Sequence, residues 1–240
     1  MEKVKVTRET VDLDAFERKI QYHFKNREYL MQALTHASYA NEHKLRSNER
    51  FEFLGDSVLS LVTTHYIFSR FPTKSEGELT KMKRQLVDTN ALSKYASKFD
   101  LGSYLLLGVG EEKYSGREKL SNLEDGFEAL TGAIFLDGGY DAVSKFVTRY
   151  ISEEVNIIDN YHRLSDPKTM LQEKVQETPG EILEYEIIDE SGPDHDKVFT
   201  CVAKINSNVF GTGVGRSKKK AEAEAARKAL EVLGIVIERD

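Results

Sequence analysis

Asn48-Glu49-Arg50-Phe51-Glu52-Phe53-Leu54-Gly55-Asp56-Ser57-Val58-Leu59 is the stretch from which the rest of the chain can be read. Wound as a helix at 100° per residue, it places Glu49, Glu52 and Asp56 at about 0°, 300° and 340°, so three carboxylates share one narrow stripe. Its other positions are unusually apolar, with Phe51, Phe53, Leu54, Val58, Leu59, Leu61 and Val62 in succession. A helix that is apolar nearly all round is normally buried, so this one is expected in a core. Acids crowded onto such a helix suffer desolvation and mutual repulsion unless a cation compensates them.

A second acidic pair lies in Asn122-Leu123-Glu124-Asp125-Gly126-Phe127-Glu128-Ala129-Leu130-Thr131-Gly132-Ala133. Asp125 and Glu128 are three apart and share a helical face, again among small and apolar neighbours. Two such helices meeting acid face to acid face would form an all-oxygen site, the donor set that Mg²⁺ or Mn²⁺ prefers. Carboxylates that hold magnesium are a common device for phosphodiester cleavage. By spacing alone the pairs fit a solvated face as well as a metal site. For Glu49, near the helix start, an acid also complements the helix dipole.

Away from these stretches the chain changes texture. Residues 11–155 read as helix after helix, with apolar residues at spacings of three and four, as in Phe16 and Ile20 or Leu30, Ala33 and Leu34. From about 182 to 215 the period falls towards two. Strands are expected at Leu183 to Ile188, Val198 to Ile205 and Val209 to Val214, with turns at Gly192-Pro193 and Asn206-Ser207-Asn208. Asp166 as N-cap with Pro167 at the first helical position opens a helix before them, and Ser217 opens one after them. The fold class that follows is an all-α domain over 1–155, a polar linker over 156–165 and a small α-β-β-β-α domain over 166–236.

The 240 residues carry 34 Lys+Arg and 40 Asp+Glu, and 34 − 40 = −6. A net acidic chain can bind nucleic acid only where its basic groups are concentrated. Residues 165–240 alone count 11 Lys+Arg and 15 Asp+Glu, so 11 − 15 = −4. Yet Arg216-Ser217-Lys218-Lys219-Lys220 places four cations within five residues at a helix start, where they oppose the dipole. An anion there would gain from both the lysines and the free backbone N–H groups. The preceding Gly211-Thr212-Gly213-Val214-Gly215 has the look of a phosphate loop, although its spacing fits neither common nucleotide fingerprint. A single cysteine, Cys201, excludes a disulfide framework and a multi-Cys zinc site, and its alternation points to the inner face of a strand. No apolar run approaches the roughly 18 residues of a membrane span, and the first twenty residues lack the apolar stretch of a signal peptide. The expected compartment is the cytoplasm.

Glu49-Arg50-Phe51-Glu52-Phe53-Leu54-Gly55-Asp56-Ser57 closely resembles the signature of ribonuclease III. Ala33-Leu34-Thr35-His36-Ala37-Ser38-Tyr39 before it agrees, as do Asp125-Gly126-Phe127-Glu128-Ala129-Leu130 and Leu136-Asp137-Gly138-Gly139-Tyr140 after it. The resemblance implies an endonuclease domain that acts on double-stranded RNA as a homodimer with Mg²⁺, for which Mn²⁺ can substitute. It implies 5′-phosphate and 3′-hydroxyl ends and a part in processing rRNA precursors and other structured transcripts. Carried over by position, Glu52, Asp125 and Glu128 match the metal ligands, and Asp56 and Glu128 match the catalytic acids. Glu49 is an accessory acid, and Phe53 matches a knob inserted into the partner subunit. One departure is Glu124, an added charge where many members have a small or apolar residue.

Three further stretches, Pro167-Lys168-Thr169-Met170-Leu171-Gln172-Glu173, Gly192-Pro193-Asp194-His195 and Ser217-Lys218-Lys219-Lys220-Ala221-Glu222, resemble a double-stranded RNA-binding domain. Such domains read duplex shape across two minor grooves and the phosphates between them. By this resemblance Gln172 and Glu173 approach one minor groove and His195 the next, and Lys168 and Thr169 are further RNA-binding residues. Lys218, Lys219 and Lys220 hold the intervening phosphates, and Ser217 is a further RNA-binding residue. His36 is expected to cap or pack, and Ser57, with no His partner in its motif, is not a nucleophile. A non-catalytic dimeric duplex-RNA binder and a phosphohydrolase of small nucleotides are the competing classes. The full set of acids disfavours the first, and the second leaves the C-terminal domain idle.

Overall fold

Side-chain caps set most helix starts in the N-terminal half. Asp12 accepts from the Ala15 amide ahead of α1 (Leu13–Ile20), and Asn26 accepts from Glu28 ahead of α2 (Arg27–Ala33). His36 caps α3 (Ala37–His43) by accepting from the Ser38 amide, which is the capping role expected of it. The signature forms α4 (Glu49–Arg70). Ser75 and Glu78 close a reciprocal capping box on α5 (Glu76–Leu86), and Asp88 caps α6 (Thr89–Lys98). A 3-10 turn (Leu101–Tyr104) and α7 (Val109–Lys113) lead to α8 (Leu120–Ser165), which breaks at Gly139, where φ is +76°. The computed structural model describes residues 6–193 and 196–235, and the chain divides into two units, Met1–Asn156 and Ile157–Asp240.

An aromatic core holds the first unit. Phe127 stacks on Phe146 with ring centroids 5.5 Å apart, Phe146 meets Tyr150 at 5.2 Å, and Phe99 meets Tyr150 at 5.5 Å. Phe127 is fully buried, which is worth roughly 3 kcal/mol and fixes the rotation of α8 about its axis. Asp125 and Glu128, either side of it in sequence, are thereby turned out of the aromatic core. On α4 the core face is Phe51, Val58, Leu59, Val62 and Ile67. The expectation that α4 is buried nearly all round does not hold for the single chain, since Phe53 is 80% exposed and Leu61 and Phe68 are also exposed. The helix carries more apolar surface than its own chain can cover.

α4 and α8 cross in near backbone contact. A Cβ on Gly55 would lie 1.8 Å from the carbonyl oxygen of Glu128, and one on Gly132 would lie 2.3 Å from that of Phe51. Only glycine permits this approach, which draws the acids of the two helices together.

Residues 156–165, expected as a linker, are helical, and the boundary between the two units falls between Asn156 and Ile157. Beyond them α9 (Pro167–Gln176) starts at the Asp166 cap with Pro167 in its first turn. Three antiparallel strands follow in the order β1 (Leu183–Ser191), β2 (Val198–Ile205), β3 (Asn208–Gly215), and α10 (Lys218–Val232) closes the unit from its Ser217 cap. Leu171 and Val175 of α9, Cys201, Ala203 and Ile205 of β2, and Ala225, Ala229 and Leu230 of α10 form its core. Gly211 and Gly213 are not a phosphate loop. They lie in β3, where a Cβ on Gly213 would come 2.2 Å from the Ala225 nitrogen, so the glycines let α10 rest directly on the sheet.

Candidate active site

The glycine crossing places Glu52 and Asp56 of α4 beside Asp125 and Glu128 of α8. Their charges act on one another. Burial, reinforced by the negative charge of Asp56 and then of Glu124, Glu52 and Asp125, pushes the Glu128 carboxyl up to about 8. Burial, followed by Asp125, Glu49 and Glu124, raises Glu52 above the usual carboxylate range. Burial, then Glu124, raises Asp125. Asp56 is exposed. Glu49, also exposed, accepts a 2.6 Å bond from the Ser47 hydroxyl.

The group is thus a half-buried, all-oxygen cluster in which every shifted acid moves towards its neutral form for want of positive charge. A hard divalent cation fits that donor set and that deficit. Among the described residues no three or more His, Cys, Asp or Glu side chains are placed so that, as they stand, they could hold a metal ion. Uncompensated carboxylates repel, so they have no reason to converge unaided.

From sequence alone Glu124 is a variation without a place. The structure brings it into the cluster through a 3.1 Å hydrogen bond from the Thr89 hydroxyl at the start of α6. Nothing in the sequence pairs residues 35 apart in this way. Asn122 is also placed only by structure; its side-chain amide donates to Glu111 at 2.8 Å and to the Gly116 carbonyl at 2.9 Å, pinning the strap before α8. Lys119, which bonds Glu111 at 3.4 Å, is a cation whose charge lowers Asp125.

In the second unit Lys218, Lys219 and Lys220 are exposed in the first turn of α10. No ion pair among the described residues engages Lys219 or Lys220, whereas Lys218 lies 5.8 Å from the Phe199 ring. The Ser217 hydroxyl oxygen is occupied as a cap for the Lys220 amide at 3.2 Å. Lys168 is not a free cation. It pairs with Glu222 at 2.6 Å and lies over the Tyr185 ring at 4.8 Å. The Thr169 hydroxyl bonds Asp166 at 3.2 Å, and Gln172 and Glu173 are exposed on α9. His195 lies outside the described residues.

Comparison with known proteins decides the family. The family model described as Ribonuclease-III-like matches residues 26–155, and the Double-stranded RNA binding motif matches residues 167–233. The chain belongs to the ribonuclease III family. It is 44% identical over 226 residues to Ribonuclease 3 of Carboxydothermus hydrogenoformans, covering 92% of this chain and 96% of that one. It is 44% identical over 213 residues to Ribonuclease 3 of Streptococcus mutans, covering 88% and 92%. A crystal structure of the nuclease domain of ribonuclease III from Campylobacter jejuni is similar at a TM-score of 0.56 and 38% identity, covering 60% of this chain and 95% of that one. Ribonuclease III nucleases are metal-dependent, which agrees with the donor set assembled at the α4–α8 crossing. No helix among the described residues is long and apolar enough to cross a membrane.

Proposed function

We propose that this chain hydrolyses phosphodiester bonds of double-stranded RNA as a Mg²⁺-dependent cytoplasmic homodimer. On this reading it leaves 5′-phosphate and 3′-hydroxyl ends on rRNA precursors and other structured transcripts. The observation that carries the reading is the meeting of Glu52, Asp56, Asp125 and Glu128 at a glycine-locked helix crossing, where burial and repulsion leave an unmet need for a dication. Glu52, Asp125 and Glu128 would hold the cation. When bound, it supplies charge stabilisation for the pentavalent phosphorus and acidifies water. Mn²⁺ offers the same hard-oxygen chemistry. On this reading Asp56 and Glu128 would orient the attacking water and accept its proton, with Glu49 accessory to Glu52.

Two further features support the rest of the assembly. Phe53 itself lines an open hollow of about 1020 Å³ together with Tyr29, Gln32, Phe51, Leu54 and Leu136, a partly apolar surface against which a second copy would pack. A second Campylobacter jejuni nuclease-domain structure, 38% identical at a TM-score of 0.56, covers 59% of this chain and 97% of that one. It is described as flexible in a region involved in dimer formation. In the second unit Lys218, Lys219 and Lys220 with Ser217 would meet phosphates, and Lys168, Thr169, Gln172, Glu173 and His195 the minor grooves. Lys168, already paired with Glu222, would orient the α9 surface more than it attracts phosphate.

Glu128→Gln separates this reading from a pure binder, because it keeps the volume and removes the charge. Single-turnover cleavage should fall by several orders of magnitude while gel-shift affinity for the same duplex is retained. Cleavage at the wild-type rate would remove Glu128 from the active site.

A further inference from the structure

Glu124 is the one acid in the cluster that the reading above leaves without a task. On a helix it stands four residues before Glu128, about 40° away around the axis, so the two side chains share a face. It is half-buried, and among the described residues it takes part in no ion pair. Its hydrogen-bond partner there is the Thr89 hydroxyl, which sits in the first turn of α6 just after the Asp88 cap. One carboxylate oxygen is therefore held by a rigid element and the other is left to accept. A carboxylate kept only for stability would be expected to face a cation. Glu124 instead faces Glu52, Asp125 and Glu128, and its charge is among the causes that raise all three.

We propose that Glu124, oriented by Thr89, is a positioning residue of the acid centre that strengthens divalent-cation binding from outside the Glu52, Asp125 and Glu128 ligand set. The inference rests on the reading that those three acids hold the cation. Hydrated Mg²⁺ keeps several of its waters, and an acceptor fixed just beyond the ligands binds those waters while adding negative potential. Losing an outer partner of this kind typically weakens metal binding by about tenfold or more. The Thr89 bond should contribute less, since Glu124 without it keeps its charge and loses only its orientation.

Mn²⁺ titrated calorimetrically into the full-length chain without RNA tests this, using wild type, Glu124→Gln, Thr89→Val and Glu128→Gln. Mn²⁺ affinity should fall about tenfold in Glu124→Gln and by a smaller factor in Thr89→Val. The Mg²⁺ concentration for half-maximal cleavage should rise in the same order. In chelator, Glu124→Gln should unfold at or above the wild-type temperature, because a like charge is removed while the amide oxygen still accepts from Thr89; a purely structural hydrogen bond would instead show as a lower unfolding temperature in Thr89→Val with unchanged Mn²⁺ affinity. Wild-type Mn²⁺ affinity in Glu124→Gln overturns the proposal. If only Glu128→Gln has lost affinity, the acid-centre reading stands and the Glu124 assignment falls alone. If Glu128→Gln also binds normally, both fall. Should Glu124→Gln fail to fold, unchanged Mn²⁺ affinity in Thr89→Val overturns it instead.

Discussion

Glu128→Gln should make the metal-free protein more stable while removing its activity. The Glu128 carboxyl is raised from its ordinary 4.5 to about 8, first by burial and then by the negative charges of Asp56, Glu124, Glu52 and Asp125. A carboxyl raised on folding holds its proton more tightly in the native state. Its contribution to stability is therefore complete below pH 4.5 and is lost as pH rises through about 8. The difference of 3.5 (8 − 4.5), at about 1.36 kcal/mol per pH unit, sets an upper bound of about 5 kcal/mol above pH 8. Glu128 retains contact with solvent, and screening brings the expected penalty to ~2 kcal/mol. Glutamine occupies the same volume without the charge. At pH 8.5 in chelator the variant should melt about 4–8 °C above wild type, at roughly 2–4 °C per kcal/mol for a domain this size. At pH 4.5 the difference should vanish. Adding Mg²⁺ should stabilise wild type by mass action and leave the variant nearly unmoved, which closes or reverses the gap. The assay is thermal unfolding followed by circular dichroism from pH 4.5 to 8.5, with chelator or with Mg²⁺. If the chelated variant loses stability with pH as steeply as wild type, or is the less stable at pH 8.5, the account of Glu128 as a buried acid starved of a cation is wrong.

Phe53→Glu should dissociate the dimer, because a charge would replace an aromatic ring at an apolar contact; a full dimer in sedimentation at low concentration would refute the knob reading. Lys219 and Lys220 changed together to Ala should weaken binding to unrelated duplexes alike and flatten the logarithmic salt dependence by about 2, one for each lysine that no longer meets a phosphate; an unchanged slope would return the patch to a solvated surface. Gly55→Ala sets a Cβ 1.8 Å from the Glu128 carbonyl oxygen, so the helices must separate. It should lower stability by about 3 kcal/mol in denaturant unfolding and weaken Mn²⁺ binding as well; near-native values of both would show that the crossing does not set the acid geometry.

Local features are legible in the sequence and long-range contacts are not. Asp166, Pro167 and Ser217 mark helix starts because capping chemistry is confined to a few neighbouring residues. β2 is legible residue for residue because its β-branched and aromatic run is continuous. By contrast, the Gly55–Gly132 crossing joins positions 77 apart (132 − 55), and neither glycine announces a partner. The same holds for Thr89 with Glu124 and for Lys168 with Glu222. The triple-glycine run of β3 misleads for a related reason. A glycine that admits a phosphate and a glycine that admits a helix backbone look identical in sequence, and only the Ala225 and Ala229 atoms above the strand distinguish them. Over 156–165 polarity points to a linker but not to its helical form, since polarity alone does not end a helix when no Gly or Pro is present.

The greatest departure from expectation, the exposed side of α4, follows from geometry. Its 22 residues must serve three directions at once. One face inserts Phe51, Val58, Leu59, Val62 and Ile67 into the core, and the Gly55 crossing fixes that face against α8. Fixing one face of a helix fixes the others. With Gly55 against Glu128, the stripe bearing Glu52 and Asp56 turns to the acids of α8, and Phe53 is carried to the opposite side, away from its own core. Burying Phe53 in the same chain would need α4 to rotate by roughly half a turn, which would pull Glu52 and Asp56 off the cluster. An apolar helix built around this carboxylate site therefore leaves an aromatic side chain for another molecule to cover. The acid stripe and the exposed Phe53 are two consequences of a single helix orientation, so a substitution that rotates α4 should damage cation binding and dimerisation together.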